Sequence, residues 1–345
     1  MVGIRKTVSP NLVALSMSYI LSLVGMTQWG IRQSIEVEII FISVERNIAY
    51  TKIKPEETKE IKLSQDSYSE NWPVKGSVEI KNLSLIYPFS KSPVLNRITL
   101  SIQAGEKIGV VGRTGAGKSS LVTSIFRLFE PYPNGCISID GVNISNVRLS
   151  RLRSSISMIP QQPFLFEGSL RFNLDPWSEY TDEQIWNALE SSSLKKKIEE
   201  MPEKLESPVI ENGKNFSSGE RQLISLCRAV LQNKKLIVMD EATANVDLET
   251  DKKIQQSIHT LFKKSTVITI AHRLNTVIGN GYDKIAVLDN GILKEFGSAH
   301  DLLCNPESLL SKMVSAMGID SDTNLRKLAY DQHKIGNFLE KNLHF

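Results

Sequence analysis

The 345-residue sequence predicts an α/β domain whose core is a parallel β-sheet, preceded by one apolar helix. Three observations support this fold class. Residues 107–111 are an apolar run followed by a glycine-rich loop and then by apolar residues at helical spacing. Two further apolar runs, at 236–239 and 266–271, are uninterrupted, as in strands buried on both faces of a parallel sheet. Residues 249–262 between them have helical character, and strands that alternate with helices build α/β cores.

The apolar helix is predicted over residues 12–31, a stretch of about twenty positions without a charge, which is long enough to cross a bilayer. The residues leave three alternatives open. A signal peptide fits Arg5 and Lys6 ahead of the run, although no small-residue cleavage site follows. A buried helix of a soluble domain fits the dilution of the run by serines, Thr27 and Gln28. A membrane helix fits as well, because hydroxyl side chains favour helix contacts there. Basic residues flank both ends, so charge does not set an orientation.

The remaining chain divides by composition. Residues 32–50 continue with helical character and interspersed charges, as in a membrane helix that projects into water. Residues 51–73 are polar, contain Pro55 and are predicted to be a linker. A domain follows over 74–318, and 319–345 are predicted to be a polar C-terminal tail. Within the domain, further strands are predicted at 78–87, 98–102, 135–140 and 155–160, and mainly helix at 181–231.

Charge and cysteine content narrow the classes of function. Lys and Arg number 41 against 38 Asp and Glu, so there is no basic surplus of the kind that nucleic-acid binding requires. Cys136, Cys227 and Cys304 are far apart and show neither ligand nor disulfide spacing. They indicate reduced, structural thiols in a cytosolic domain.

The first indication of chemistry is the loop that begins at Gly112. It reads Gly112-Arg113-Thr114-Gly115-Ala116-Gly117-Lys118-Ser119, and Ser120 continues into the helix. Strand, glycine loop and helix in that order are the context of a phosphate-binding P-loop, in which backbone N–H groups and the helix N-terminus bind the anion. Lys118 is predicted to reach the β- and γ-phosphates, and the Ser119 hydroxyl to bind Mg²⁺. Taken alone, the pattern also fits an ordinary glycine-rich turn.

Two carboxylates, Asp240 and Glu241, follow the apolar run at 236–239. An aspartate at the carboxyl end of a buried strand beside a P-loop is where a Mg²⁺-supporting carboxylate belongs. Glu241, one residue further, could polarise an attacking water. Taken alone, the pair could also be acidic residues that cap a strand end.

Residues 215–222, Asn-Phe-Ser-Ser-Gly-Glu-Arg-Gln, resemble the signature of ATP-binding cassette (ABC) ATPases, whose usual form is Leu-Ser-Gly-Gly-Gln. The other motifs of that family are present in the family's order. Tyr87 matches the aromatic residue that stacks on adenine, and Gln161 matches the Q-loop glutamine. Asp247 matches the D-loop, and His272 matches the switch histidine. Each has an ordinary explanation alone, but the ordered set indicates the family.

The resemblance implies ATP and Mg²⁺ as cofactors and a cassette with a parallel-sheet core, an antiparallel β flank and a helical signature subdomain. Catalysis is expected from Lys118, Gln161, Glu241 and His272, and metal binding from Ser119, Gln161 and Asp240. Nucleotide binding is expected from Tyr87, Gly112, Thr114, Gly115, Ala116, Gly117, Lys118, Ser119, Ser120, Ser217, Ser218, Gly219, Glu220, Asp240 and Asp247. In this family two cassettes close head to tail, so the signature of each contacts the nucleotide of its partner.

Several stretches are similar to the second nucleotide-binding domain of the multidrug resistance-associated exporters of subfamily C. They are residues 113–121, 173–176, 240–247 and 271–277, and residues 33–38 and 43–46 are similar to the cytoplasmic extension of that family's last membrane helix. The resemblance favours the membrane interpretation of residues 12–31. It implies an integral membrane protein of the plasma membrane whose cassette faces the cytosol.

The sequence also departs from the family pattern. Phe216 replaces leucine in the signature, Ser218 stands where glycine is usual, and Glu220 replaces glutamine. The residue after Gln161 is a second glutamine, where these exporters usually carry an acid.

A full exporter of this family has two membrane domains and two cassettes, so the chain is expected to be the C-terminal piece of a transporter. The expected function is ATP binding and Mg²⁺-dependent hydrolysis that powers export of organic anions or drugs. Its partners would be a second cassette and the membrane domains. Two alternatives stay open: a truncated ATP-binding cassette with a regulatory role or no transport role, and a soluble ABC ATPase of DNA repair or translation.

Overall fold

The computed structural model describes residues 9–53, 55–56, 69, 71–88, 90, 92–130, 135–240, 255, 257–271 and 273–342, with the side chains of 320, 321, 333 and 335–342 left out. The chain divides into two compact units, residues 1–60 and 61–345. The first contains a single described helix, and the second contains all of the described β-structure.

Helix α1, Pro10–Thr51, joins the predicted membrane segment and its predicted extension into one continuous helix. At 1.5 Å per residue it is about 63 Å long, roughly twice the hydrocarbon thickness of a bilayer. None of its residues is buried, unlike those of a core helix. By length and composition α1 could cross a membrane, a test that a signal sequence also passes. The hydroxyls of Ser16, Ser22 and Thr27 donate to backbone carbonyls one turn earlier, at 2.8–3.0 Å, so they are paired without water.

The second unit contains twelve described strands and ten described α-helices besides α1. The strands are β1 Val78–Leu85, β2 Leu95–Ile102, β3 Lys107–Gly112, β4 Cys136–Ile139, β5 Val142–Asn143, β6 Ile156–Ile159, β7 Gly168–Ser169, β8 Pro208–Val209, β9 Leu236–Asp240, β10 Thr266–Ile270, β11 Lys284–Asp289 and β12 Ile292–Gly297. The helices are α2 Lys118–Ile125, α3 Leu149–Ser155, α4 Leu170–Leu174, α5 Asp182–Ser191, α6 Lys195–Glu199, α7 Ser218–Gln232, α8 Leu274–Ile278, α9 Ala299–Cys304, α10 Leu309–Ser315 and α11 Ile319–Asn342. Short 3₁₀ helices lie at Ile144–Asn146, Lys204–Glu206 and Glu211–Gly213.

A six-stranded sheet in the order β12-β11-β3-β10-β9-β6 forms the centre of the domain. All neighbours in it are parallel except the edge strand β12. Every residue of β10 is buried, which explains why the sequence of this strand is apolar without alternation. The predicted parallel-sheet core is thereby confirmed.

A second sheet in the order β2-β1-β4-β5 is antiparallel and forms the predicted β flank. Its strands alternate between buried and exposed residues, as expected for a sheet with one face on the core. The buried face joins β3 and α2 in one apolar cluster.

The helical subdomain has an apolar core of its own, to which α4, α5 and α7 contribute. Phe216, which replaces the usual leucine of the signature, is fully enclosed in this core. The substitution is therefore accommodated by packing.

The structure differs from the sequence-based expectation at both borders of the domain. Trp72, inside the predicted linker, is buried and donates its indole N–H to the carbonyl of Ile139 at 2.9 Å. The predicted polar tail contains α11, whose residues Leu325 and Ala329 are buried in a third apolar cluster together with β11. Arg326 supports this packing by donating to the carbonyl of Leu303 and to the Ser311 hydroxyl.

Asp140 attaches the chain that enters β1 to the end of β4. Its carboxylate accepts the backbone N–H groups of Lys75, Gly76 and Ser77 at 2.8, 3.1 and 2.8 Å, and the Ser77 hydroxyl at 3.0 Å. Burial alone would raise the pKa of this carboxyl, but the backbone donors outweigh burial and hold the pKa of Asp140 below its ordinary value. The ionised form therefore stabilises the fold.

We expect Asp140→Asn to lower the free energy of unfolding at pH 7 by about 1–2 kcal/mol, because the amide turns an NH₂ group toward backbone donors. The ionised carboxylate stabilises fully above its ordinary pKa of 3.8, and this contribution is lost as the pH falls through the lowered pKa of the folded state. The difference between parent and variant should therefore shrink toward acid pH. Urea unfolding from pH 7 to pH 3 measures it, with the exposed Asp331→Asn as control. A difference that stays constant over this range would contradict the assignment.

Candidate nucleotide-binding site

The candidate site begins at the turn between β3 and α2. Gly115 and Gly117 have φ of +81° and +97°, a backbone region that favours glycine, and they let the loop turn back on itself. A side chain at Gly117 would lie 2.7 Å from Leu95, whereas the space around Gly115 is open. The loop is therefore packed against the β flank on one side and accessible on the other.

Lys118 and Ser119 lie at the start of α2. The Lys118 side chain is buried, and its ammonium donates to the carbonyls of Gly112 at 2.8 Å and Arg113 at 3.2 Å, so it is held over the loop. Ser119 is exposed. A buried cation, a helix N-terminus and an open glycine loop fit a bound polyphosphate.

Tyr87, the predicted adenine-stacking residue, lies next to this loop. Its hydroxyl donates to the Ser120 hydroxyl at 3.0 Å, and its ring packs edge-on against Phe129 with centroids 4.8 Å apart. The structure therefore brings together Tyr87 and the phosphate loop, and adds Phe129, which no motif in the sequence indicated.

The central sheet brings the other motifs to the same edge as this loop. Ile270 of β10 pairs with Val110 of β3 on one side and with Asp240 of β9 on the other, which places Asp240 roughly 10 Å across the sheet from the strand that carries the loop. Strand β6 ends beside β9 and leads into Gln161. Because parallel strands end at one edge, Ser119, Asp240 and Gln161 leave the sheet on the same side. Their hydroxyl, carboxylate and amide oxygens are the donors that Mg²⁺ prefers.

Three predicted site residues, Glu241, Asp247 and His272, lie outside the described residues. Glu241 and His272 directly follow Asp240 and Ala271, which end at the sheet edge just described. The structure thus describes the chain up to these two positions.

The signature residues begin α7. Ser217 is the N-cap: its hydroxyl accepts the N–H of Glu220 at 3.2 Å, and the Glu220 carboxylate accepts the N–H of Ser217 at 2.8 Å. Ser217 is exposed, and its hydroxyl also hydrogen-bonds the Glu220 carboxylate. Ser218 and Gly219 form the first turn of the helix.

Glu220, which replaces the usual glutamine, is paired with Lys197 of α6 at 2.7 Å. Burial raises the pKa of this carboxyl, but Lys197 and the N–H of Ser217 outweigh burial and lower the pKa of Glu220. The signature therefore carries an ionised carboxylate with an adjacent ammonium.

The segment after Gln161 is attached to the signature helix. Arg228 of α7 donates to the carbonyls of Phe164 at 2.9 Å and Asn173 at 2.6 Å, and Asn173 accepts the N–H of Phe166 at 2.8 Å. Desolvation lowers the pKa of Arg228. The sequence indicated Asn173 only as part of a subfamily motif and did not indicate Arg228.

The family model described as "ABC transporter" matches residues 95–244. This match spans β2, the phosphate loop, the signature helix and β9. The chain contains an ABC transporter domain. Such a domain implies ATP binding, and the loop at 112–119 is the candidate site for the phosphates.

The sequence is also similar to longer proteins of subfamily C and to a longer multidrug resistance-associated protein. The chain is 48% identical over 315 residues to mouse "ATP-binding cassette sub-family C member 4", covering 91% of this chain and 23% of the relative. It is 43% identical over 322 residues to the Drosophila melanogaster protein named "Probable multidrug resistance-associated protein lethal(2)03659", covering 92% and 23%. The chain thus spans about a quarter of the length of these relatives. The expected similarity to subfamily C is confirmed.

Among solved structures, the fold matches one described as "Structure of a bacterial Atm1-family ABC exporter with ATP bound". The TM-score is 0.66 at 30% identity, and the match covers 71% of this chain and 42% of that chain. The expected cassette fold is confirmed.

Proposed function

We propose that this chain binds ATP with Mg²⁺, hydrolyses it, and so powers the export of organic anions or drugs as one cassette of an ABC exporter. The observation that carries the proposal is the common sheet edge of the phosphate loop, Asp240 and Gln161. The subfamily C relatives and the ATP-bound exporter support the transport part.

The chain's own residues divide the work of hydrolysis. Lys118 and the backbone N–H groups of the loop bind the β- and γ-phosphates, and Tyr87 stacks on the base. Ser119, Asp240 and Gln161 would hold Mg²⁺, which neutralises phosphate charge when bound. Glu241 orients and deprotonates the attacking water, and His272 contacts the γ-phosphate.

The second cassette would complete the site. The exposed Ser217, and Gly219 with its backbone N–H at a helix N-terminus, are suited to contact the γ-phosphate held by a partner. Ser218, Glu220 and Asp247 would contribute to the same head-to-tail contact.

The membrane domains would contact an exposed aromatic cluster. Phe164, Phe166 and Phe172 are 54%, 56% and 46% exposed, with ring centroids 4.9 Å apart for the first pair and 6.4 Å for the second. Three adjoining exposed aromatic rings mark a protein contact surface. We assign α1 as a helix of an integral plasma-membrane protein and residues 74–318 as its cytosolic cassette, to which Trp72 and α11 also belong by their packing.

Lys118→Ala should abolish tight ATP binding, because a buried triphosphate would lose its ammonium partner. Equilibrium binding of a fluorescent ATP analogue to the full chain in detergent measures this, with the exposed Lys196→Ala as matched control. Unchanged affinity in Lys118→Ala, with the fold intact, would refute the phosphate-loop assignment.

Glu241→Gln should leave ATP binding intact and slow hydrolysis by roughly 10²–10⁴-fold, the usual loss when a general base is removed. Phosphate release, measured under conditions in which the parent hydrolyses ATP, tests this, and the exposed Glu200→Gln is the control. Parental turnover in the Glu241 variant would assign the base elsewhere.

Helix α1 should resist extraction from membranes by alkaline carbonate. In the paired variant Leu21→Arg/Val24→Arg, two charges at exposed mid-helix positions should release the chain, because each costs about 3 kcal/mol at the centre of a bilayer. Release of the parent chain would contradict membrane insertion. A mature chain shortened at its N-terminus would indicate a cleaved signal peptide instead.

A further inference from the structure

Gln222 of α7 is a buried polar residue to which the proposed function gives no role. It is 4% exposed and lies five residues after the N-cap Ser217. Its side-chain NH₂ donates to the carbonyl of Pro160 at 3.2 Å and, more weakly, to that of Gln161 at 3.5 Å. The signature helix therefore contacts the backbone of the proposed metal ligand directly.

A second contact fixes the far end of the same segment. Arg228, six residues further along α7, donates to the carbonyl of Phe164 and to Asn173, which in turn accepts the N–H of Phe166. Residues 160–166 are thus attached to α7 at both ends. A displacement of α7 would move Gln161 with it.

The carbonyl oxygen of the Gln222 side chain distinguishes it from a packing residue. This oxygen is buried and has no hydrogen-bond partner among the residues that the structure describes. An unpaired buried acceptor raises the free energy of the arrangement that contains it. An arrangement of the Gln161 loop that presented an N–H group to this oxygen would therefore gain a hydrogen bond.

We infer that Gln222 is a positioning residue that holds Gln161 in register with the metal site and couples it to the signature helix. This rests on the proposed function, in which Gln161 binds Mg²⁺. Gln222 acts on the backbone of the Gln161 loop, while Gln161 supplies the ligand atom.

The test measures the Mg²⁺ concentration that half-saturates its effect on ATP-analogue binding to the full chain, alongside binding in EDTA. Gln222→Met keeps the length of the side chain and removes its hydrogen bonds, and Gln232→Met, exposed at the end of α7, is the control. Gln222→Met should raise the Mg²⁺ requirement roughly tenfold, as loss of an outer-shell partner does. Binding in EDTA and the melting temperature should stay at the parental values.

Gln161→Ala and the double variant complete the cycle. If Gln222 acts through Gln161, the double variant should need no more Mg²⁺ than Gln161→Ala alone. If Gln161→Ala raises the requirement and Gln222→Met does not, this inference fails and the proposed metal role survives. If Gln161→Ala changes nothing, the proposed metal role fails and the inference fails with it. A parallel loss of EDTA binding and melting temperature in Gln222→Met would identify a packing role and overturn the inference.

Discussion

Parallel pairing of β3, β10, β9 and β6 is the constraint on which the site depends. The register sets Ile270 between Val110 and Asp240, and the strands must end on one side because they run in one direction. Predicted site residues that are far apart in sequence therefore follow the strands at the same edge of the sheet. Because β10 is buried on both faces, a shift of its register by one residue would disturb the packing of its apolar side chains. The same shift would displace the loops that follow the strands.

A second attachment connects the sheet edge to the helical subdomain. The Gln161 loop begins at β6 in the sheet, yet its carbonyls accept hydrogen bonds from Gln222 and Arg228 of α7. The loop is therefore attached both to the central sheet and to the helical subdomain. The exposed aromatic cluster follows on the same segment, so the surface proposed for the membrane domains is fixed to the signature helix by the same bonds.

The sequence could predict those features that depend on residues close together in the chain. Strands β3, β9 and β10 were predictable because an uninterrupted apolar run is a property of the run itself. Trp72 was not, because its burial depends on the distant carbonyl of Ile139. In the C-terminal helix, the buried residues Leu325 and Ala329 are four positions apart. Two apolar residues at helical spacing are too few to form a recognisable pattern in a polar stretch. Gln222 and Lys197 gain their roles only from neighbours that the fold brings together.

The pair of Lys197 and Glu220 shows how a departure from the family pattern can be compatible with the proposed function. A lone carboxylate at the start of the signature helix would repel a phosphate offered by a partner cassette. Here the carboxylate also closes the capping box, so its charge lies against the backbone N–H of Ser217 and the ammonium of Lys197. The pair is formally neutral. The Lys197 ammonium therefore offsets the repulsion between the Glu220 carboxylate and a phosphate, a repulsion that a glutamine at this position would not cause. The N-terminus of the signature helix thus stays suited to an anion.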